Sequence, residues 1–113
     1  MHEMAVTSNI LNIILAEAKQ VEASRVTKVT LVIGDLSSII DESVQLYFDF
    51  LTEDTPAAGA ELEFKRIHAT LHCRACDHSY PKLGSDFTCP RCGQEGMLTG
   101  AGKEFYIESI EVE

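Results

Sequence analysis

Apolar residues recur every three or four positions over the first two dozen residues, which is the spacing of one face of an α-helix. That face comprises Val6, Ile10, Ile13, Ile14, Ala18 and Val21. A second stripe with the same spacing comprises Val44, Tyr47, Phe48 and Leu51. We therefore predict one helix from His2 to about Ser24, and another that Asp41 caps and that Pro56 and Gly59 end.

Three other segments alternate apolar and polar residues, as strands with one buried face do: residues 27–34, 61–67 and 105–112. The second segment continues through Thr70 and Leu71 to a pair of cysteines, and the third is expected to be bulged near Ser109. Two helices and a small sheet of about three strands predict an α+β fold. We expect one helix and sheet domain from residues 1–70 and 101–113, with an inserted zinc-ribbon-like domain at residues 71–100.

Composition narrows the classes of function. The 113 residues include 18 acidic and 9 basic side chains, a formal net charge of −9. Such a chain repels phosphate backbones, so we expect no nucleic-acid partner, whereas a basic protein or a cationic cargo is compatible. The apolar runs are too short to cross a membrane and no export signal is apparent, so we expect no membrane association and a cytoplasmic location. In that reducing compartment cysteines serve more often as metal ligands than as disulfides.

The four cysteines form two pairs, Cys73-x2-Cys76 and Cys89-x2-Cys92. This is the spacing of paired zinc knuckles, in which one tight turn presents two sulfur atoms to the same ion. Pro90 and Gly93 provide the restricted and the permissive backbone that such a turn uses. Four protein ligands leave no open position on a tetrahedral zinc ion, so the predicted zinc is structural and not catalytic.

Two alternatives to zinc stay open for the cysteines. Four thiolates also hold iron in rubredoxin-like centres, and two cysteine pairs can form redox disulfides. His72 and His78 flank the first pair, and we expect them to be exposed surface residues and not ligands.

The N-terminal residues offer a second set of metal donors. The amine of Met1, the amide nitrogen of His2 and the His2 imidazole can chelate one ion in linked five- and six-membered rings. The Glu3 amide, or a side chain from elsewhere, completes the square plane that nickel(II) and copper(II) prefer. A surface histidine and an acid in the first turn of a helix are the ordinary interpretations of His2 and Glu3, and they too stay open.

Taken together, these features resemble the HypA/HybF family, the hydrogenase nickel-incorporation accessory proteins, from one end of the chain to the other. The resemblance rests on four segments: Met1-His2-Glu3 opening a helix with Ile10 and Leu11, the run Val32-Ile33-Gly34-Asp35-Leu36-Ser37, the four cysteines, and the closing Ile110-Glu111-Val112-Glu113. Each segment alone is short or common, and their combination is specific.

The resemblance implies a nickel metallochaperone that is not an enzyme. It implies nickel ligands from the Met1 amine, the His2 amide and imidazole, and the Glu3 amide in the helix and sheet domain, with the Asp41 carboxylate as a further candidate. It implies a structural zinc ion on the four cysteines. The implied partners are a hydrogenase-maturation GTPase, the hydrogenase large subunit and, for some members, urease maturation proteins. The alternative is a zinc-stabilised interaction adaptor that delivers no metal.

The chain departs from part of the family pattern beside the cysteines. Some relatives carry a histidine after each cysteine pair, whereas here His78 follows the first pair and Gly93 the second. Zinc-site switching through paired histidines is therefore not expected. The sequence also lacks a phosphate-binding loop of the Walker type, so nucleotide hydrolysis has to come from another chain.

Overall fold

The computed structural model describes residues 3–113, which divide into two compact units. The helix-sheet unit comprises the described residues up to Val32 together with Ser38–Lys65 and Tyr106–Glu113. The cysteine unit comprises Ile33–Ser37 and Arg66–Phe105. Within residues 3–113 no helix combines the length and the apolar character needed to cross a membrane.

The described residues form two α-helices, one 3-10 helix and six strands. In chain order they are α1 (Glu3–Gln20), β1 (Val26–Gly34), the 3-10 helix (Asp35–Ser37), α2 (Asp41–Leu51), β2 (Glu61–Ile67), β3 (Thr70–Cys73), β4 (His78–Pro81), β5 (Met97–Leu98) and β6 (Phe105–Val112). The strands form two sheets of three strands each, in the orders β2-β1-β6 and β4-β3-β5. The predicted α+β class, with two helices, a small sheet and an inserted cysteine module, is confirmed.

The core of the helix-sheet unit forms around the central strand β1. From Val29 onward every residue of β1 is buried, so both of its faces are covered, while β2 and β6 pair with its two edges. The most deeply buried side chains of this unit include Ile14, Val26, Val29, Leu31, Val44 and Phe48. None of these side chains is a metal ligand, and burial of apolar surface stabilises this core.

Helix α1 ends earlier than its apolar stripe predicts. The amide of Ala23 donates to the Ala18 carbonyl (2.9 Å) and the amide of Glu22 donates to the Lys19 carbonyl (3.1 Å), while Glu22 has a φ of 57°. This is a Schellman motif, which closes a helix with one residue in the left-handed region. The helix therefore stops at Gln20 and not near Ser24.

The predicted core face of α1 is wrong in two places. The buried residues of the helix are Thr7, Ile10, Leu11, Ile14 and Ala18. Ile13 is 53% exposed and Val21 is 60% exposed, although both fit the helical stripe. The core thus meets a narrower face of α1 than the sequence pattern indicates.

Helix α2 begins and ends differently from its prediction. Its N-cap is Ile40, with an extended backbone and no side-chain capping bond, so Asp41 is the first helical residue and not the cap. An acid in the first turn still interacts favourably with the helix dipole. At the other end the helix stops at Leu51, before Pro56 and Gly59, and the amide and the hydroxyl of its C-cap residue, Thr52, both donate to the Phe48 carbonyl, at 3.0 and 2.8 Å.

The strand predicted to lead into the first cysteine pair is two strands in two sheets. Strand β2 ends at Ile67 in the sheet with β1, and β3 starts at Thr70 in the sheet with β4 and β5. In that second sheet Leu71 pairs with Tyr80 on one side and with Leu98 on the other, both antiparallel. The short strands β4 and β5 were not predicted.

Gly34, at the end of β1, lies against the backbone of the segment that precedes β6. Its amide donates to the Glu104 carbonyl (2.7 Å), and the Leu36 amide donates to the Gly102 carbonyl (2.7 Å). A Cβ atom at Gly34 would lie 2.1 Å from the Gly102 carbonyl carbon. This position in the cysteine unit therefore accepts only glycine without a shift of the backbone.

Candidate metal centre

The two cysteine pairs meet in the cysteine unit. The four Sγ atoms all lie within 4.8 Å of one another, with 3.4 Å between those of Cys73 and Cys92 and 3.6 Å between those of Cys76 and Cys89. Sulfurs at about 2.3 Å from a tetrahedral zinc ion are about 3.8 Å apart, whereas a disulfide requires about 2.05 Å. The donor set therefore fits a tetrahedral thiolate centre. Of the residues that the structure describes, these four alone form a cluster of three or more potential metal ligands.

The two cysteine turns share one backbone geometry. The Cys73 carbonyl accepts a hydrogen bond from the Asp77 amide (2.8 Å), and the Cys89 carbonyl accepts one from the Gly93 amide (2.9 Å). The residue after each second cysteine lies in the left-handed region, with φ of 58° at Asp77 and 79° at Gly93. Gly93 therefore adopts the backbone conformation for which a glycine was predicted, and Asp77 occupies the equivalent position in the first turn. Aspartate tolerates the left-handed conformation better than most residues do, so an aspartate directly after a second cysteine is the sequence feature that indicates this turn.

Backbone amides and burial act in opposite directions on the thiols. Burial of the Cys89 thiol disfavours its ionised form, but amide hydrogen bonds from Arg91 and Cys92 lower its pKa to about 7. The Arg91 amide donates to the Cys89 Sγ at 3.4 Å. At Cys76 burial prevails and raises the pKa to about 12. All four thiols become thiolates together only when a cation balances their charge, so the metal and the ionised cluster depend on each other.

The cysteine unit has a very small apolar core. Its buried cluster consists of Leu71, Cys73, Tyr80 and Cys89, with Cys76 and Phe87 packed against it. The Tyr80 hydroxyl donates to the Phe87 carbonyl at 2.6 Å. Two of the four buried members are cysteines of the donor set, so a bound ion cross-links the core itself.

Both histidines beside the first cysteine pair are half-buried, where the sequence predicted exposure. The Nδ1 atom of His72 lies 3.0 Å from the Ser79 hydroxyl, and its Nε2 atom lies 3.0 Å from a carboxylate oxygen of Asp77. The His78 ring stacks on the Tyr80 ring with 5.9 Å between centroids. Neither histidine belongs to the ligand cluster found among the described residues.

The predicted nickel ligands are only partly within the described residues. Met1 and His2 lie outside them. Glu3 is the first residue of α1, and its carbonyl accepts a hydrogen bond from the Thr7 hydroxyl at 2.6 Å. Asp41 is the first residue of α2. The nickel ligand set therefore stays a prediction.

The fold and the cysteine cluster define a small α+β protein with a four-cysteine cluster that could hold a structural metal ion. Residues 1–112 match the family described as "Hydrogenase/urease nickel incorporation, metallochaperone, hypA". The chain belongs to this HypA family.

Curated relatives agree with the family match. The chain is 49% identical to the "Hydrogenase maturation factor HypA" of Caldanaerobacter subterraneus subsp. tengcongensis, over the full length of both. It is 42% identical to the protein of that name from Dehalococcoides mccartyi strain 195, over the whole of this chain and 95% of the other.

Solved structures share the fold. The solution structure of the Ni metallochaperone HypA from Helicobacter pylori superposes with a TM-score of 0.64 at 23% identity, covering 99% of this chain and 97% of the other. A second HypA solution structure gives a TM-score of 0.69 at 24% identity, covering 100% and 97%. At these identities the likeness concerns the fold.

Proposed function

We propose that this chain is a nickel carrier that binds Ni(II) at its N-terminus and delivers it, together with a GTPase partner, to a [NiFe]-hydrogenase. The ligands in this proposal are the Met1 amine, the amide and imidazole of His2, and the Glu3 amide. The four cysteines hold a zinc ion whose role is structural. The observation that carries the proposal is the family match, which begins at residue 1 and therefore includes the donor residues.

The position of Glu3 supports its backbone as a ligand. Helix α1 begins at Glu3, and the amides of a first helical turn have no carbonyl acceptor within the helix. A metal can therefore displace the Glu3 amide proton without breaking a helical hydrogen bond. The deprotonated nitrogen is negatively charged, which the positive end of the helix dipole stabilises.

The chemistry of these donors is compatible with a carrier that must release its ion. Each amide or amine ligand loses a proton on binding, so nickel affinity falls as the pH is lowered. A nitrogen donor set of this kind prefers copper over nickel. Selectivity for nickel in the cell then has to come from metal availability and from docking to the partner.

The two domains have different roles in this proposal. Residues 1–70 and 101–113 form the nickel-binding domain, and residues 71–100 form the zinc domain. The zinc ion has four protein ligands and no open position, so it takes no part in nickel transfer. GTP hydrolysis belongs to the partner, because the sequence has no phosphate-binding loop of its own.

A nickel titration tests the proposal. Zinc-loaded protein with its native N-terminus is titrated by calorimetry and visible absorption, beside His2→Ala and a variant with one extra residue before Met1. We expect about one equivalent of nickel with a square-planar absorption band for the native protein, and loss of that band in both variants. The extra residue removes the amine from the chelate without changing any side chain.

His68→Ala is the matched control, since the His68 side chain is 67% exposed on the other unit. It should bind nickel as the native protein does. If native protein, His2→Ala and the extended variant bind alike, or none of them binds, the N-terminal nickel site is wrong. A zinc-stabilised interaction adaptor without metal delivery is then the better description.

A further inference from the structure

An open groove of about 430 Å³ lies between α1 and β6 in the helix-sheet unit. Its lining consists of Ile13, Glu17 and Ala18 from α1, Val21 just after α1, and Ile107, Glu108, Ser109, Ile110 and Val112 from β6. The groove contains Ile13 and Val21, which the helical pattern placed in the core and which the structure leaves exposed. The apolar stripe in the sequence of the first helix therefore predicts part of the apolar lining of this groove.

The groove follows the edge of β6. Side chains of a strand point alternately to its two faces, so a surface that four successive residues line (107–110) runs along the strand edge and not over one face. In the sheet order β2-β1-β6, strand β6 has β1 on one side and no described strand on the other. Eight residues of β6 therefore present one unpaired edge, which is a template for an added strand.

The side chains around this edge favour an apolar partner segment. Ile13 and Val21 are more than half exposed on the α1 side, and Val112 is 41% exposed on β6. An extended segment on the β6 edge places alternate side chains against these residues. Burial of apolar area stabilises such a complex by about 25 cal/mol per Å², before the losses of ordering are subtracted.

The charge of the groove favours a basic partner segment. The lining contains the carboxylates of Glu17 and Glu108 and no lysine or arginine, although Glu108 also pairs with Lys65 of β2 at 2.6 Å. Glu111 continues the acidic character along the same strand, in a protein of formal net charge −9. A second copy of the chain fits this charge less well than a basic segment does, because the β6 edge that it would add carries the same acids, Glu108 and Glu111.

We propose that this groove binds an extended segment of a partner protein, basic and apolar in alternation, as an additional strand on β6. The recognition has two parts. Backbone hydrogen bonds along β6 provide the binding geometry, and the apolar and acidic lining selects the side chains. The inference does not rest on the nickel proposal, since no nickel ligand lies in the groove.

The test uses a defined peptide and zinc-loaded, full-length protein. The probe is a capped nine-residue peptide of alternating lysine and valine. One control peptide has the same sequence with alternate backbone amides N-methylated, which removes strand hydrogen bonding but keeps every charge. A second control replaces each lysine by glutamate. Binding is followed by fluorescence anisotropy and by the amide NMR shifts of residues 105–112.

We expect the lysine and valine peptide to bind and to shift the amides of β6, and both control peptides to bind at least tenfold more weakly. Ile13→Lys, within the groove, should weaken binding about tenfold. Leu46→Lys is the matched control, because Leu46 is an equally apolar residue, 67% exposed on α2, away from the groove.

Three results overturn the proposal. The first is equal binding of the methylated and unmethylated peptides, which means that charge alone drives the interaction. The second is binding without shifts in β6, or an equal effect of Ile13→Lys and Leu46→Lys. The third is a dimer in light scattering whose dissociation shifts the β6 amides, which assigns the groove to a second copy.

Discussion

Asp77 and Gly93 hold equivalent backbone positions in the two cysteine turns, yet only one of them is a glycine. Both lie in the left-handed region, where a residue with a Cβ atom is strained unless its side chain compensates. Asp77 approaches His72 with its carboxylate, 3.0 Å from the Nε2 atom, which gives its side chain a local partner. The two turns therefore reach one geometry by different means.

Gly93→Ala should weaken zinc binding. A left-handed residue with a Cβ atom costs roughly 1–2 kcal/mol, which corresponds to about a five- to thirtyfold loss in affinity. Asp77→Gly should leave the affinity unchanged or slightly higher, because glycine adopts the same φ freely. Both are measured by competition with a chromophoric zinc chelator. Equal affinities for Gly93→Ala and the native protein would show that the turn changes conformation on metal binding.

Single residues show where the sequence pattern succeeds and where it fails. The cysteine spacing predicts a four-sulfur cluster because ligand pairing is a local property of a tight turn, and the structure brings the sulfurs together. The stripe of α1 fails at Ile13 and Val21 because the helical period reports which residues share a face and not how much of that face another element covers. Asp41 was predicted as a cap because acids are good caps, but the N-cap is the preceding residue, Ile40, and the helix begins at Asp41.

Ion pairs join neighbouring and next-neighbouring strands across the surface of the β2-β1-β6 sheet. Lys28 on β1 lies 2.8 Å from Glu63 on β2, and Lys65 on β2 lies 2.6 Å from Glu108 on β6. The hydrogen bond from Lys28 and, to a smaller extent, the positive charge of Lys28 lower the pKa of Glu63 below its ordinary value. These pairs are exposed, so their contribution to stability is small.

The pairing of Glu63 predicts a pH dependence of stability. A carboxyl group whose pKa is lowered in the folded state stabilises the fold above its unfolded pKa, and that contribution disappears as the pH falls through the lowered value. Native protein should therefore unfold at a higher temperature than Glu63→Gln at pH 7, and the gap should close below about pH 4.5. Circular dichroism of the helices at a series of pH values measures it.

Glu61→Gln is the control for this series, since Glu61 is an exposed acid on the same strand. It removes one negative charge, as Glu63→Gln does, but no direct ion pair with Lys28. A gap of the same size and pH dependence for Glu61→Gln would assign the effect to net charge and not to the pair.

The division of one predicted strand into β2 and β3 has a nonlocal cause. Residues 67–70 contain neither glycine nor proline, so nothing in the local sequence indicates a break. In the structure Ala69 lies close to Gly102, where an added Cβ atom would come within 2.8 Å of the Ala69 Cα atom. The chain leaves one sheet and joins another because a distant segment packs there, and single-sequence patterns do not contain that information.

The two units differ in what holds them together. The helix-sheet unit has an apolar core without a metal ligand, whereas half of the small buried cluster in the cysteine unit consists of cysteines of the donor set. Structural zinc sites contribute on the order of 10–16 kcal/mol of binding free energy, which is available only to the folded unit. We therefore expect the two units to respond differently to metal removal.

Chelation of the metal should unfold the cysteine unit and leave most of the helix-sheet unit folded. Amide NMR should show collapse of the dispersed resonances of residues 70–98, while those of α1 and of Val29 and Leu31 in β1 persist. Cys89→Ser should reproduce this spectrum without a chelator. Restoration by zinc, and not by magnesium, identifies the thiolate site as the cause. Loss of all dispersed resonances, or of none, would contradict the assignment of a structural metal to this unit.

The larger segment of the cysteine unit, Arg66–Phe105, connects two strands of the β2-β1-β6 sheet, β2 and β6, and this arrangement has a consequence for chain entropy. If residues 68–104 lose their structure, they become a loop whose ends the sheet still has to hold in place. The entropy lost on closing a loop grows only with the logarithm of its length, at about 0.6 kcal/mol for each doubling. Insertions and deletions within this segment should therefore alter the sheet's stability very little, so the inserted module is free to vary in length while the sheet around it is kept.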